Sequence, residues 1–387
     1  MYVRDDEGLR ALVESMRGAD VIAVDTEFMR ERTYYARLCL IQVATDDVAA
    51  IVDPLEGLDL EPLFAVFRDP AITKVFHAGS QDLEILVRLM GEAPAPVFDT
   101  QVAATLAGLP AQVGYQPLIK SLLGVDLAKA HTFTDWAKRP LSAEQIRYAL
   151  DDVVYMPKAY RLLQQQLAAA GRLGWLADDF ERMADPATYA VIPNEQYRRV
   201  KRASSLDRRS LAVLREVAAW REVEAQTRDV PKRWLVSDES LLELARRAPE
   251  SAAMLRGVRG LNEQVVRRSG EAILAAVRKG KAAPDDELPR FEKRKRLEGE
   301  VDELADAMSA LVRVRAKQHG VAPTLLATRA DLERFAGGER EASALSVGWR
   351  HTLVGADLEA LLEGRIGLSV RGGRVVIGAP AEPFGDD

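Results

Sequence analysis

Val21-Ile22-Ala23-Val24-Asp25-Thr26-Glu27-Phe28 is a short apolar run that ends abruptly in two carboxylates. Four consecutive aliphatic residues bounded by polar ones are too few for a helical pattern and read as a buried strand. Side chains alternate along a strand, so Asp25 and Glu27 project from one face, about 7 Å apart along it. Two carboxylates placed there repel each other unless protons or a cation lie between them. An acidic surface turn satisfies the same local pattern, and the rest of the chain has to decide between the two.

Working outward, residues 7–17 have helical spacing, and 37–44 and 49–53 are strand candidates on either side of a Thr45-Asp46-Asp47 turn. Three strands in succession predict an antiparallel meander. A helix over 60–68 follows, then a buried strand Ile72–Phe76 that runs into His77-Ala78-Gly79-Ser80-Gln81-Asp82. Ser80 has the chemistry of an N-cap for a helix Asp82–Met90, which puts Asp82 in its first turn. The helix dipole favours a carboxylate there, so capping alone would account for Asp82. Helices are predicted from Val97 through Gly108 and over 116–123. Ser142-Ala143-Glu144-Gln145 has the form of a capping box and starts one long helix to about Ala170. On it Tyr148 and Asp152, four residues apart, share a face. Strands followed by a mixture with helices predict an α/β domain over residues 1–170.

After Gly171 the pattern is helical only. Residues 171–207 read as a connector, 208–282 as a set of short amphipathic helices, and Lys281–Pro289 as a polar linker. Helices resume at Val301–Gln318 and Thr328–Phe335 within a last domain at 290–380, which closes on a small hairpin at Leu368–Ile377.

Composition narrows the chemistry. A chain of 387 residues, 48% hydrophobic, has ample material for about two or three domains. Neither a leader with an apolar core nor a membrane-length apolar run is visible, so a cytoplasmic location with no membrane partner is expected. One cysteine, Cys39, and four scattered histidines exclude a disulfide framework and argue against a soft-metal site. Any metal should be a hard cation held by oxygen. The net charge of −6 argues against a general nucleic-acid coat, yet Arg198–Arg233 holds eleven Lys/Arg against five Asp/Glu. Such a local patch steers a polyanion even when the sum is negative, although a solvated helical face has the same composition.

If the sheet brings Asp25, Glu27, Asp82 and Asp152 together, four negative charges require divalent metal. Two Mg²⁺ ions ~3.5–4 Å apart suit an in-line phosphoryl displacement. Tyr148, one turn from Asp152, is placed to orient the attacking water, though a phenol of pKa ~10 is a poor base at neutral pH.

Three separated motifs, Asp25-Thr-Glu-Phe-Met-Arg-Glu-Arg-Thr-Tyr-Tyr-Ala-Arg-Leu-Cys-Leu-Ile-Gln, His77-Ala-Gly-Ser-Gln-Asp82, and Thr134-Asp-Trp-Ala-Lys-Arg-Pro-Leu with Tyr148-Ala-Leu-Asp-Asp152-Val, resemble the ribonuclease D family of DEDD exonucleases. The resemblance implies a ribonuclease H-like α/β fold with a mixed sheet. It also implies two Mg²⁺ or Mn²⁺ ions on Asp25, Glu27, Asp82 and Asp152. The implied activity is 3′-to-5′ trimming of tRNA precursors and other structured RNAs, with release of 5′-mononucleotides. Tyr148, four before Asp152, matches the tyrosine branch; the histidine branch wants His five before, where this chain has Arg147. Asp151 is adjacent, but only Asp152 keeps the spacing. Residues 208–280 are similar to the all-α helicase-and-RNase-D C-terminal (HRDC) domain, and 291–380 resemble its divergent second copy. No Gly-x4-Gly-Lys-Ser/Thr phosphate loop is present, which excludes a helicase motor.

Individual residues carry further expectations. Phe28 is a candidate wedge against a terminal base, with a core role as the alternative. Lys138, Arg139, Arg198, Arg199, Lys201 and Arg202 are candidate phosphate contacts. His77 and Cys39 are expected to be structural, Trp136 to pack, and Trp220 and Trp234 to fill the helical core. A monomer is favoured. Two other functions fit the residues: a DNA-directed 3′-5′ exonuclease, since nothing here reads a 2′-hydroxyl, and a non-catalytic binding protein acting through its HRDC domains.

Overall fold

Burial of Val21 to Val24, each at most 3% exposed, fixes the second strand of a sheet and thereby the position of the carboxylates that follow. The computed structural model describes residues 1–127, 134–291, 299–340 and 343–380; parts of the 290–380 span therefore lie outside the described residues. The strands β1 (Tyr2–Val3), β2 (Val21–Met29), β3 (Arg37–Ala44), β4 (Ala49–Val52), β5 (Thr73–Phe76) and β6 (Val97–Asp99) form one sheet in the order β1-β4-β3-β2-β5-β6. It is mixed: β3 and β4 are antiparallel, whereas β1–β4, β2–β5 and β5–β6 are parallel. The expected meander thus covers part of the sheet. β1 is too short to leave a periodic signal.

The sheet is accompanied by α1 (Asp6–Ser15), α2 (Glu61–Arg68), α3 (Ser80–Met90), α4 (Thr100–Leu106), α5 (Tyr115–Leu123), α6 (Ala143–Val154), α7 (Met156–Ala169) and α8 (Ala177–Met183). Three expectations are corrected. Val97–Asp99 is a strand, and the helix begins only after Asp99, whose carboxylate caps α4 by accepting from the Gln101 and Val102 amides at 2.8 and 3.2 Å. The long helix from 143 is two helices broken at Tyr155, because Pro157 lacks the N–H that would continue the first and suits the opening turn of the second. Ser80 lies inside α3, and Gly79 is its cap, without a side-chain bond. The capping box at Ser142 and Gln145 is present as expected.

Val21 and Ala23 of β2, Val75 of β5 and Phe98 of β6 share a core with Val153, Met156, Tyr160 and Leu163 of α6 and α7. Phe98 meets Tyr160 edge-on at 4.7 Å. This packing holds α6, and with it Tyr148 and Asp152, against the sheet.

By proximity the chain divides into two compact units. One comprises Met1–Glu27, Cys39–Thr188 and Arg294–Asp387; the other comprises Phe28–Leu38 and Tyr189–Lys293. The second unit is built on α9 (Arg208–Arg228), α10 (Lys232–Leu235), α11 (Asp238–Arg247), α12 (Ala252–Arg256) and α13 (Glu263–Lys281), around a core that includes Leu214, Val217, Leu241, Leu255 and Ile273. Gly280 permits α13 to press on α9, since a Cβ there would lie 2.5 Å from the Val213 Cα. Within this unit Tyr34 donates to Glu222 and accepts from Gln226 Nε2 at 3.1 Å.

The C-terminal elements are α14 (Gly299–His319), α15 (Pro323–Leu326), α16 (Arg329–Ala336), α17 (Gly348–Arg350), α18 (Ala356–Leu362) and the hairpin β7 (Gly367–Arg371) and β8 (Arg374–Gly378). The hairpin pairs Leu368 with Ile377, as expected. These elements belong to the first unit. Trp349 stacks on Trp175 at 5.1 Å and 6°, and Arg172 donates to the carbonyls of Leu106, at 2.7 Å, and His319. Among the described residues, no helix is long and apolar enough to cross a membrane.

Candidate active site

Asp25 and Glu27 leave β2 beyond its paired stretch with β5, whose register runs from Val21↔Thr73 to Ala23↔Val75. Asp152 reaches the same place from α6. Carboxylate oxygens of Asp25, Glu27 and Asp152 all lie within 4.8 Å of one another, although more than a hundred residues separate β2 from α6. Asp82 stands beside this trio, in the first turn of α3, only 7% exposed. It is held from β2, because Thr26 donates its hydroxyl to Asp82 Oδ1.

The turn that carries Asp82 is tightly specified. A Cβ at Gly79 would lie 2.5 Å from the Phe76 Cβ, so only glycine fits. The Gly79 amide donates to Asp99 Oδ2 at 2.9 Å, and the same buried carboxylate caps α4. His77 completes the frame. Thr100 spends its proton on the Phe76 carbonyl at 3.0 Å, so its oxygen must accept from His77 Nδ1 at 2.9 Å. Burial lowers the His77 pKa, which keeps the ring neutral.

Crowding of buried acids makes the site avid for positive charge. Burial, and then the charges of Asp82, Asp152 and Glu27, raise the Asp25 pKa well above the carboxylate range. Burial, and then Asp152 and Asp82, push Glu27 up to about 8; burial pushes Asp152 up to about 7 against the hydrogen bond from Tyr148, with Asp151 adding to the rise. Burial raises Asp82 as well, opposed by the Thr26 hydroxyl. Four acids that resist ionisation together fit an all-oxygen site for hard divalent cations. Asp151 is not among the clustered groups of the described residues.

Tyr148 donates to Asp152 one turn away, and its ring lies 6.1 Å from that of the buried Trp136. Burial and then the charge of Asp152 raise its phenol, so it keeps its proton at neutral pH. A second phenol, Tyr115, escaped the sequence reading. Its hydroxyl is buried, its ring lies 5.4 Å from that of His77, and the charges of Asp152 and Asp25 add to the effect of burial in raising it. An aromatic residue opening a helix is too common a pattern to have marked it. Thr26 was equally invisible, because nothing local tells a strand threonine that its partner lies 56 residues on.

The remaining candidates are placed as follows. Arg139 is committed within the protein: its Nε and Nη2 both reach the fully buried Asp53 at 2.6 Å, and its other donors go to the carbonyls of Trp136, Lys138 and Cys39. No donor remains for a phosphate. Lys138 is exposed, and Cys39 is fully buried. Phe28, next on β2 after Glu27, is half-buried. Arg198 pairs with Glu195, whereas Arg199, Lys201 and Arg202 are exposed with no ion pair among the described residues. Trp220 packs against the helical core as expected. Trp234 does not: its side chain is 53% exposed.

Residues 1–168 match a family of 3′-5′ exonucleases and residues 210–277 the HRDC domain. The chain is 44% identical over 377 residues to ribonuclease D of Gluconacetobacter diazotrophicus, covering 97% of this chain and 96% of that one. It is 42% identical to ribonuclease D of Acidiphilium cryptum over 97% of this chain and 96% of the relative. The crystal structure of Escherichia coli RNase D, an exoribonuclease involved in structured RNA processing, superposes with a TM-score of 0.81 at 34% identity, over 94% of this chain and 98% of that one. With the sheet, the acidic cluster and the HRDC helices in one chain of matching length, the protein belongs to the ribonuclease D family and is a 3′-5′ exoribonuclease.

Proposed function

We propose that the protein trims the 3′ ends of tRNA precursors and other structured RNAs, one 5′-mononucleotide at a time, with two divalent ions, Mg²⁺ or Mn²⁺, held by Asp25, Glu27, Asp82 and Asp152. The observation that carries this reading is the approach of Asp25, Glu27 and Asp152 to within 4.8 Å from two distant segments. Bound ions would supply the positive charge that offsets these carboxylates and stabilises the attacking and leaving oxygens of an in-line displacement. The chain's own part is to position. Tyr148 keeps its proton and donates its O–H hydrogen bond to Asp152, which leaves its oxygen lone pairs free to accept from the attacking water and aim it at the terminal phosphorus. It acts as a positioning group and not as a base, because its phenol is raised. Thr26 and the Gly79 turn hold Asp82 so that its carboxylate cannot swing away.

We further read residues 208–282 as the first HRDC domain and 290–380 as a divergent second one, in a monomeric cytoplasmic enzyme whose helical domains grip the body of the RNA. Digestion of a 3′-extended tRNA, with and without Mg²⁺, tests the catalytic reading. Stepwise release of 5′-mononucleotides is expected only with the metal, and Asp25→Asn should remove it while the fold persists. A folded Asp25→Asn protein that still shortened the RNA would refute the assignment.

A further inference from the structure

The basic stretch Arg198–Arg233 separates into two classes once its partners are known. Arg198, Arg208, Arg209, Arg215, Arg221, Arg228 and Lys232 are tied to carboxylates or carbonyls of their own unit. Arg199, Lys201, Arg202 and Arg233 have no ion pair or side-chain hydrogen bond among the described residues, and all four are exposed. Of these, Arg233 stands directly beside Trp234, the exposed tryptophan of the HRDC unit.

The backbone around Trp234 is rigidly held. Leu235 and Val236, 7% and 1% exposed, plug α10 into the helical core. The Trp234 amide donates to the Pro231 carbonyl at 2.9 Å, Arg221 Nη1 donates to the Val236 carbonyl at 2.9 Å, and Lys232 is anchored to the buried Glu222 at 3.0 Å. The same anchoring that buries Leu235 turns the Trp234 indole outward. Holding a large aromatic ring in water forgoes the stabilisation its burial would bring, and the fixed turn keeps the indole presented to a ligand.

Size and charge say which kind. Trp234 is the only exposed apolar side chain of α10. One indole is far below the roughly 800 Å² per partner of a stable protein interface, but it matches the face of one nucleobase. The neighbouring guanidinium has no carboxylate to neutralise it and complements a phosphate. We propose that Trp234 is a stacking platform for an unpaired base of the RNA substrate, with Arg233 on the adjoining phosphate. This rests on RNA being the substrate and adds a contact outside the catalytic unit.

The test uses full-length protein in EDTA, so that the probe survives, with two 5′-fluorescein RNAs of equal length, one single-stranded and one fully duplex, and fluorescence anisotropy as the readout. Trp234→Ala should weaken single-strand binding about 5- to 150-fold, the span of one base–aromatic stack, and duplex binding much less. Trp234→Phe, which keeps a π-face, should restore most of the affinity. Arg233→Ala should weaken both RNAs similarly and reduce the slope of log K against log salt by about one. If wild type binds and Trp234→Ala binds the single strand equally well, the platform is refuted and RNA remains the substrate. If wild type in EDTA and the inactive Asp25→Asn protein in Mg²⁺ both bind neither RNA, the reading of RNA as substrate falls, and the platform with it. If sedimentation shows that wild type self-associates and Trp234→Ala does not, the indole belongs to a second copy of the chain and the proposal is overturned.

Discussion

At the scale of single residues, the site is defined by acids that cost stability when they ionise. In the unfolded chain Glu27 loses its proton near the ordinary 4.5, while in the folded protein it keeps it up to about 8. Between those limits the folded state binds more protons than the unfolded one, so stability falls as pH rises through that window. Without divalent ions, wild type is therefore expected to lose melting temperature from about pH 5 to pH 8 more steeply than Glu27→Gln, and excess Mg²⁺ should flatten the difference. Thermal melts of both proteins in EDTA and in Mg²⁺ check this; parallel curves would mean that Glu27 ionises as it does in water. Tyr148 makes a separate prediction. Tyr148→Phe removes the donor to Asp152 and the oxygen proposed to aim the water, so kcat on a short RNA should fall about 10- to 100-fold with KM little changed. A rise confined to KM would assign Tyr148 to substrate binding instead.

At the scale of elements, the motifs were legible in the strands and helices that carry them, because the spacing of Asp25 with Glu27 and of Tyr148 with Asp152 is read from local periodicity. What each element touches was not. Arg139 looked like a phosphate contact in a basic, exposed-seeming run, yet it is the fork that neutralises the fully buried Asp53, which also accepts from the Tyr2 hydroxyl at 2.6 Å. Asp53 is 86 residues away in the chain, and no local pattern links them. Arg139→Ala leaves a buried carboxylate with no cation and only the Tyr2 hydroxyl and the Leu55 amide as donors, and about 3–5 kcal/mol of stability should be lost. Urea unfolding checks the figure, and RNA affinity of the variant at a temperature where it is folded should equal wild type. The split of the helix at Tyr155 is a milder case. Pro157 was visible, but a proline in a periodic stretch can kink a helix or start a new one, and the packing of Met156, Tyr160 and Leu163 on the sheet sets which.

At the scale of the whole molecule, the C-terminal helices share one compact unit with the nuclease sheet. Trp349 lies between Trp175 and Arg350, whose guanidinium sits 4.2 Å from its ring centroid, and Leu325 packs against both the sheet-side core and the C-terminal core. Trp349→Ala should cost roughly 3 kcal/mol and lower the melting of nuclease and C-terminal helices together. Calorimetry that showed the nuclease transition unmoved would make the contact superficial. The sequence by itself determined the candidate acids, the strand and helices that carry them, and the order of an exonuclease domain followed by an HRDC domain. It did so because each of those features is a short-range pattern of residue types. Only the tertiary structure decided which charges are spent inside the protein and which face solvent, separating Arg139 from Arg199 and Trp220 from Trp234. Partnership between residues far apart in the chain is settled by packing, and burial, unlike periodicity, is a property of the folded whole.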